Sequence, residues 1–221
     1  MKKLLVLAAL VCLAALPSFA QYPVAAPYLV DFFANNPGPG GTADQNIRLV
    51  NVGEFGTPLS SPVGDVCANV YVFDANQEMV ACCSCRVTPN GLLTVSVGNS
   101  LTNNPVTSVV PVSGAIKIIS TIAAGATACT PLTYNAGIAP SLVGWAGHIE
   151  NSGGTASGTF ISVAELLGWY HVPGQLVQAV NDDAPNVDAP VDPNTSEYAF
   201  LPQACQFARY LGSGKGTCGC K

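Results

Sequence analysis

The chain has 221 residues with a formal net charge of −5, and only 10% of them are charged against 49% hydrophobic. A soluble domain usually carries about 25% charged residues, so the composition fits either a weakly charged surface suited to packing against copies of itself or a matrix, or a larger interior beneath a Ser/Thr/Asn surface. The acidic balance argues against nucleic acid as a partner.

In chain order, the first element is an address. "MKK" gives a positive start, "LLVLAALVCLAAL" an apolar centre, and "PSFA" a helix break ending in small residues, the layout of a secretory signal over 1–20 with cleavage before Gln21. A lipid-anchored reading would modify Cys12, but Leu10 and Val11 stand where small residues are needed. No later apolar run reaches the roughly 18–20 residues that cross a bilayer. The expected location is therefore the extracellular space, the cell surface or a periplasm. Loss of the signal removes one of nine cysteines and leaves eight, an even number in a compartment where thiols oxidise.

From Gln21 the period is two. "PYLVDFF" (27–33), "NIRLVNV" (46–52), "CANVYVFD" (67–74), "EMVACCSC" (78–85), "GLLTVSVG" (91–98), "GAIKIISTIA" (114–123), "LVGWAGHIE" (142–150) and "GTFISVAELL" (158–167) read as strands separated by Gly, Pro and Asn. Eight such runs predict an all-β domain over 21–221, a β-sandwich stapled by disulfides. The aromatic first run, with Tyr22, Tyr28, Phe32 and Phe33, reads as the first strand. Its sharper reading is an arm that pairs with the open edge of another copy.

"DANQE" turns the chain between two alternating runs and predicts a hairpin. Ala68, Val70 and Val72 share one face, and Cys67, Asn69, Tyr71 and Phe73 the other. "VTPNGLL" turns it again, predicting a three-stranded meander over 67–98. Beyond residue 170 the alternation fails. "GQLVQAV" (174–180) reads as a turn or two of helix, and residues 181–197 as an irregular acidic loop rich in Pro, Asp and Asn. "PQACQFARYLG" then places Ala204, Phe207, Ala208 and Leu211 at helical spacing, a short C-terminal helix ended by Gly212.

The cysteines Cys67, Cys82, Cys83, Cys85, Cys129, Cys205, Cys218 and Cys220 read as up to four disulfides. "CCSC" and "CGC" lack the paired spacing of a zinc site, and neighbouring strand residues point to opposite faces, so Cys82 and Cys83 cannot serve one partner. Hairpin closure brings Cys67 near Cys83 or Cys85. Cys205 with Cys218 or Cys220 would close a loop of about fifteen residues, leaving Cys82 and Cys129 to tie the tail to the sheet.

Signals for chemistry are weaker. His148 and Glu150, two apart on one strand, would form the acid and base pair of a hydrolase if His171 joined across the sheet; a half-buried histidine beside Trp145 is the plainer reading, because no nucleophile is placed. Asp182, Asp183, Asp188 and Asp192 offer oxygen ligands to calcium without EF-hand spacing. With Trp145 and Trp169 they would make a calcium-dependent carbohydrate-binding module. "GSGKGT" (212–217) imitates a phosphate loop, but Gly216 follows Lys215 where a Ser or Thr belongs. No cofactor is expected. The run "VCANVYVFDANQEMVACCSCRVTPNGLLTVSVGNSLTNNP", with "GAIKIIS" and "GSGKGTCGC", resembles a group of uncharacterised secreted cysteine-rich bacterial proteins. That resemblance implies export and transfers no activity. The expected role is a secreted structural or adhesive protein, partnered by copies of itself or by surface and matrix polymers, with self-assembly through strand edges.

Overall fold

The computed structural model describes residues 25–34, 45–56, 64–102, 111–123, 129–133, 137–151, 159–165, 167–172, 175–178 and 197–210. Alternating β-branched and aromatic runs form β1 (Tyr28–Ala34), β2 (Asn46–Asn51), β3 (Val66–Asp74), β4 (Met79–Val87), β5 (Leu92–Ser96), β6 (Ser113–Ile122), β7 (Leu142–Asn151), β8 (Thr159–Glu165), β9 (Leu167–Val172) and β10 (Gln175–Gln178). A helix, α1 (Glu197–Tyr210), follows. The strands make a six-stranded sheet, order β10-β9-β1-β6-β3-β4, and a four-stranded sheet, order β5-β2-β7-β8. Every pairing between them is antiparallel.

The two sheets face each other across one apolar layer, as a β-sandwich. Leu29 and Phe33 of β1, Val66, Ala68, Val70 and Val72 of β3, and Ile116 and Ile118 of β6 meet Ile47 and Leu49 of β2, Leu93 and Val95 of β5, and Leu142 and Ala146 of β7. Fully burying each Val, Leu or Ile is worth about 1.5–3 kcal/mol, so the period-two pattern decides which face turns inward. Backbone bonds close one end of the sandwich. The Ala26 amide donates to Leu142 O at 2.9 Å, tying the entrance of β1 in one sheet to the start of β7 in the other.

β3 is buried on both faces along nearly its whole length, because its outer side is covered as well. Tyr28, Tyr71, Phe73, Cys82 and Ile119 on that side pack with Leu201 and Cys205 of α1. The helix therefore buries Leu201, Cys205 and Ala208, while Phe207 is 70% exposed. The expected buried stripe through Phe207 is thus rotated, since a disulfide between Cys205 and Cys82 fixes which side faces the sheet.

Two further expectations are corrected. Residues 175–178 form β10, paired with β9 at the edge of the six-stranded sheet, where a helical turn was expected. The meander over 67–98 breaks after β4: β5 pairs with β2 in the opposite sheet. The turn at Thr88–Gly91 is held against β2, with the Asn90 amide donating to Asn51 O at 2.8 Å and the Asn51 amide to Gly91 O at 3.2 Å. The chain thus crosses from one layer to the other while Val87 and Leu93 both stay in the core.

The hairpin between β3 and β4 forms where "DANQE" predicts it. Asp74 Oδ1 accepts from the amides of Asn76 and Glu78, both at 2.9 Å, and Gln77 takes a left-handed φ of 67°. One residue beyond the turn the register slips: Phe73 faces Met79, whereas Val72 faces Ala81. Val80 is the extra residue of this β-bulge, and a one-residue slip moves every later side chain to the other face.

Candidate functional site

The bulge decides the cysteine chemistry. Continued without a slip, the Phe73–Met79 pairing would set Cys67 opposite Cys85, the expected staple. With it, Cys67 falls opposite Arg86, and Ala68 and Val70 fall opposite Cys85 and Cys83. Residues opposed in a sheet share a face. Cys83 and Cys85 therefore point into the core, and Cys67 and Cys82 outward, as neighbours of opposite parity must.

On the outer face Cys67 bridges Cys129, with 5.5 Å between Cα atoms, and Cys82 bridges Cys205, with 5.7 Å. Both separations fall in the ordinary disulfide range. These pairings correct the expected Cys67 bridge within the hairpin, the Cys205 bridge to the tail, and a link from Cys129 to that tail. Cys82 does anchor the C-terminal region to the sheet, through α1. Cys83 and Cys85 are also disulfide-bonded, and Cys218 and Cys220 lie outside the described residues.

Between the two bridges the outer face holds buried polar groups. Asn69, fully buried, donates from Nδ2 to Ile119 O and to Thr121 Oγ1, both at 3.0 Å, and its Oδ1 accepts from Ser84 Oγ at 2.7 Å. The Tyr71 hydroxyl donates to Pro131 O at 2.7 Å, pinning the segment that carries Cys129. Lys117 Nζ stands 5.1 Å from the centroid of the Phe73 ring. A buried amide left without partners costs about 1–3 kcal/mol; here each polar atom of Asn69 is engaged by the fold.

A second polar cluster joins the sheets. Asn51, at an inward position of β2 and fully buried, donates from Nδ2 to Gly64 O at 2.9 Å and Val87 O at 3.0 Å. Its Oδ1 accepts from the Gly53 amide at 2.9 Å and from Ser141 Oγ at 2.6 Å. One side chain thus ties four segments together. Nearby Asp65, buried, pairs with Nε and Nη2 of Arg86; its Oδ1 has no hydrogen-bond partner among the described residues. Sequence reading missed both clusters. The available signal was a polar residue at a core-facing position of an alternating run, as Asn51 is in "NIRLVN".

The structure divides the expected groups between the two sheets, keeping His148 and Glu150 together on β7. Backbone register sets His148 opposite Ser162 and Glu150 opposite Phe160, within the four-stranded sheet. His171 lies in the six-stranded sheet opposite Leu176, so it does not join that pair across a sheet. Trp145, half-buried, stands opposite Arg48 in one sheet, and Trp169 opposite Tyr28 in the other. Asp182, Asp183, Asp188, Asp192 and Lys215 lie outside the described residues, as do Cys12 and Tyr22. Among the described residues no group of three or more His, Cys, Asp or Glu side chains converges as a metal site, and no helix is long and apolar enough to cross a membrane.

No family model matches the chain, and no curated protein matches it. Among solved structures it is similar to the crystal structure of Thermotoga maritima 1070, at 7% identity and a TM-score of 0.40, over 65% of this chain and 95% of that one.

Proposed function

We propose that the chain is exported, loses residues 1–20, and serves outside the cytoplasm as a structural or adhesive component that associates with copies of itself through a sheet edge. The observation that carries this reading is the pair of bridges, spanning 62 and 123 residues, clamped on the outer face of the six-stranded sheet. Disulfides persist in oxidising compartments, and a protein with a two-layer core needs such ties less to fold than to survive there.

The N-terminal strand is a poor candidate for a pairing arm, because β1 lies inside the sheet between β9 and β6. The better edge is β5. It ends the four-stranded sheet, and its Leu92 is 62% exposed. An exposed edge strand with an apolar side chain pairs readily with another chain, and lysines there block it.

The test is sedimentation of the secreted, oxidised protein over a wide concentration series, beside the variant Leu92→Lys/Thr94→Lys. Concentration-dependent oligomers that the variant loses support the reading, and a parent that remains monomeric throughout refutes it. The competing hydrolase reading predicts activity on ester or glycan panels that disappears in His148→Ala.

A further inference from the structure

We infer that Cys83 and Cys85 are bridged to Cys218 and Cys220, each to one of the two. Cys83 and Cys85 are disulfide-bonded and only 3% and 1% exposed. The bridges Cys67–Cys129 and Cys82–Cys205 account for the other four described cysteines.

The two do not suit each other as partners. Two residues apart on an extended strand, their Cα atoms stand about 6.6–6.8 Å apart, at the upper limit for a bridge, and their side chains run parallel instead of converging. Each needs its own partner, and the chain offers Cys12, Cys218 and Cys220. Removal of Cys12 rests on the export proposed above; the remaining two repeat the i, i+2 spacing of Cys83 and Cys85.

The reach is sufficient. α1 is fastened over β4 by Cys205 and ends at Tyr210. The eight residues from there to Cys218 span at most about 26–29 Å, and the faces of packed sheets stand about 10 Å apart. The length of chain after α1 is therefore sufficient for Cys218 and Cys220 to meet Cys83 and Cys85. Each bridge forms as two thiols give up two electrons and two protons to a disulfide-type oxidant of the exported compartment, which leaves as a dithiol.

Peptide mapping tests this. Thiols of the secreted protein are alkylated without reduction, the denatured monomer is isolated, and it is digested with trypsin under mildly acidic, non-reducing conditions. The 216–221 peptide should appear only within a cluster cross-linked through 49–86, to which the established bridges also tie 118–209, and reduction should release it with two thiols. Its appearance alone, alkylated or bridged within itself, overturns the inference, as does a cross-link to a peptide carrying Cys12. A mature N-terminus beyond Cys12 checks export separately. In Cys218→Ser/Cys220→Ser, two new thiols per chain should label at Cys83 and Cys85; new thiols at other cysteines, or none, would refute the pairing.

Discussion

Replacing Asn51 by Asp changes one NH₂ group to oxygen, keeps the side-chain volume, and exposes how much of the sandwich depends on two donated hydrogen bonds. In the parent, Nδ2 reaches the carbonyls of Gly64 and Val87 at 2.9 and 3.0 Å. An aspartate there sets a carboxylate oxygen against two carbonyl oxygens. As the neutral acid it donates to one and leaves the other unpaired, costing about 1–3 kcal/mol; as the anion it loses both and buries a charge. The native state therefore holds the proton more tightly than the unfolded chain, whose Asp titrates near 3.9. The native state binds more protons than the unfolded one above that pH, so the variant's stability falls as pH rises, until the folded form itself ionises. We expect Asn51→Asp to cost about 2 kcal/mol at pH 3 and about 2 kcal/mol more at pH 7, measured by urea unfolding with the bridges intact. Equal losses at the two pH values, or a larger loss in acid, would refute the reasoning. Asn51→Ala, with no titrating group, should show no such difference.

Four other outcomes are expected. Gly114→Ala should destabilise by about 3 kcal/mol, because a Cβ there would lie 1.9 Å from Phe73 O and 2.7 Å from Phe33 Cε1. Gly137→Ala, with open space but a φ of +90°, should cost only about 1–2 kcal/mol; thermal melts of the two variants give the comparison. Cys82→Ala/Cys205→Ala should lower stability by about 4 kcal/mol in denaturant titrations, since the lost tie spans 123 residues. Tyr71→Phe should cost about 1–2 kcal/mol by the same titration, leaving Pro131 O buried without its donor.

The fold was legible where local chemistry determines it. Alternation in "CANVYVFD" and the turn residues of "DANQE" predict β3, β4 and their hairpin, and those elements form. What depends on distant packing was not legible. "GLLTVSVG" reads as a strand, but nothing in it says that β5 leaves its neighbour β4 for β2. The extra residue Val80 has no marker in "EMVACC", yet it reverses the parity of every cysteine after it and with it the pairing of Cys67. Phe207 and Leu201 are both apolar, and only the tie from Cys205 to Cys82 selects which is covered. His148 and Glu150 keep the spacing that suggested a pair, whereas His171 belongs to a different layer because β9 follows β1 and not β8.

The order of the bridged residues along the chain, 67, 82, 129 and 205, makes the two covalent loops overlap, neither nested within the other. Cys82 must wait for a partner 123 residues downstream; at synthesis rates of about 5–20 residues per second that delay is about 6–25 s. Throughout it the thiol stands next to Cys83 and within reach of Cys67 and Cys85, so premature cross-links compete with the native ones. Maturation should therefore need a reshuffling enzyme or a slow oxidant, and hasty oxidation should trap isomers that migrate apart on a non-reducing gel.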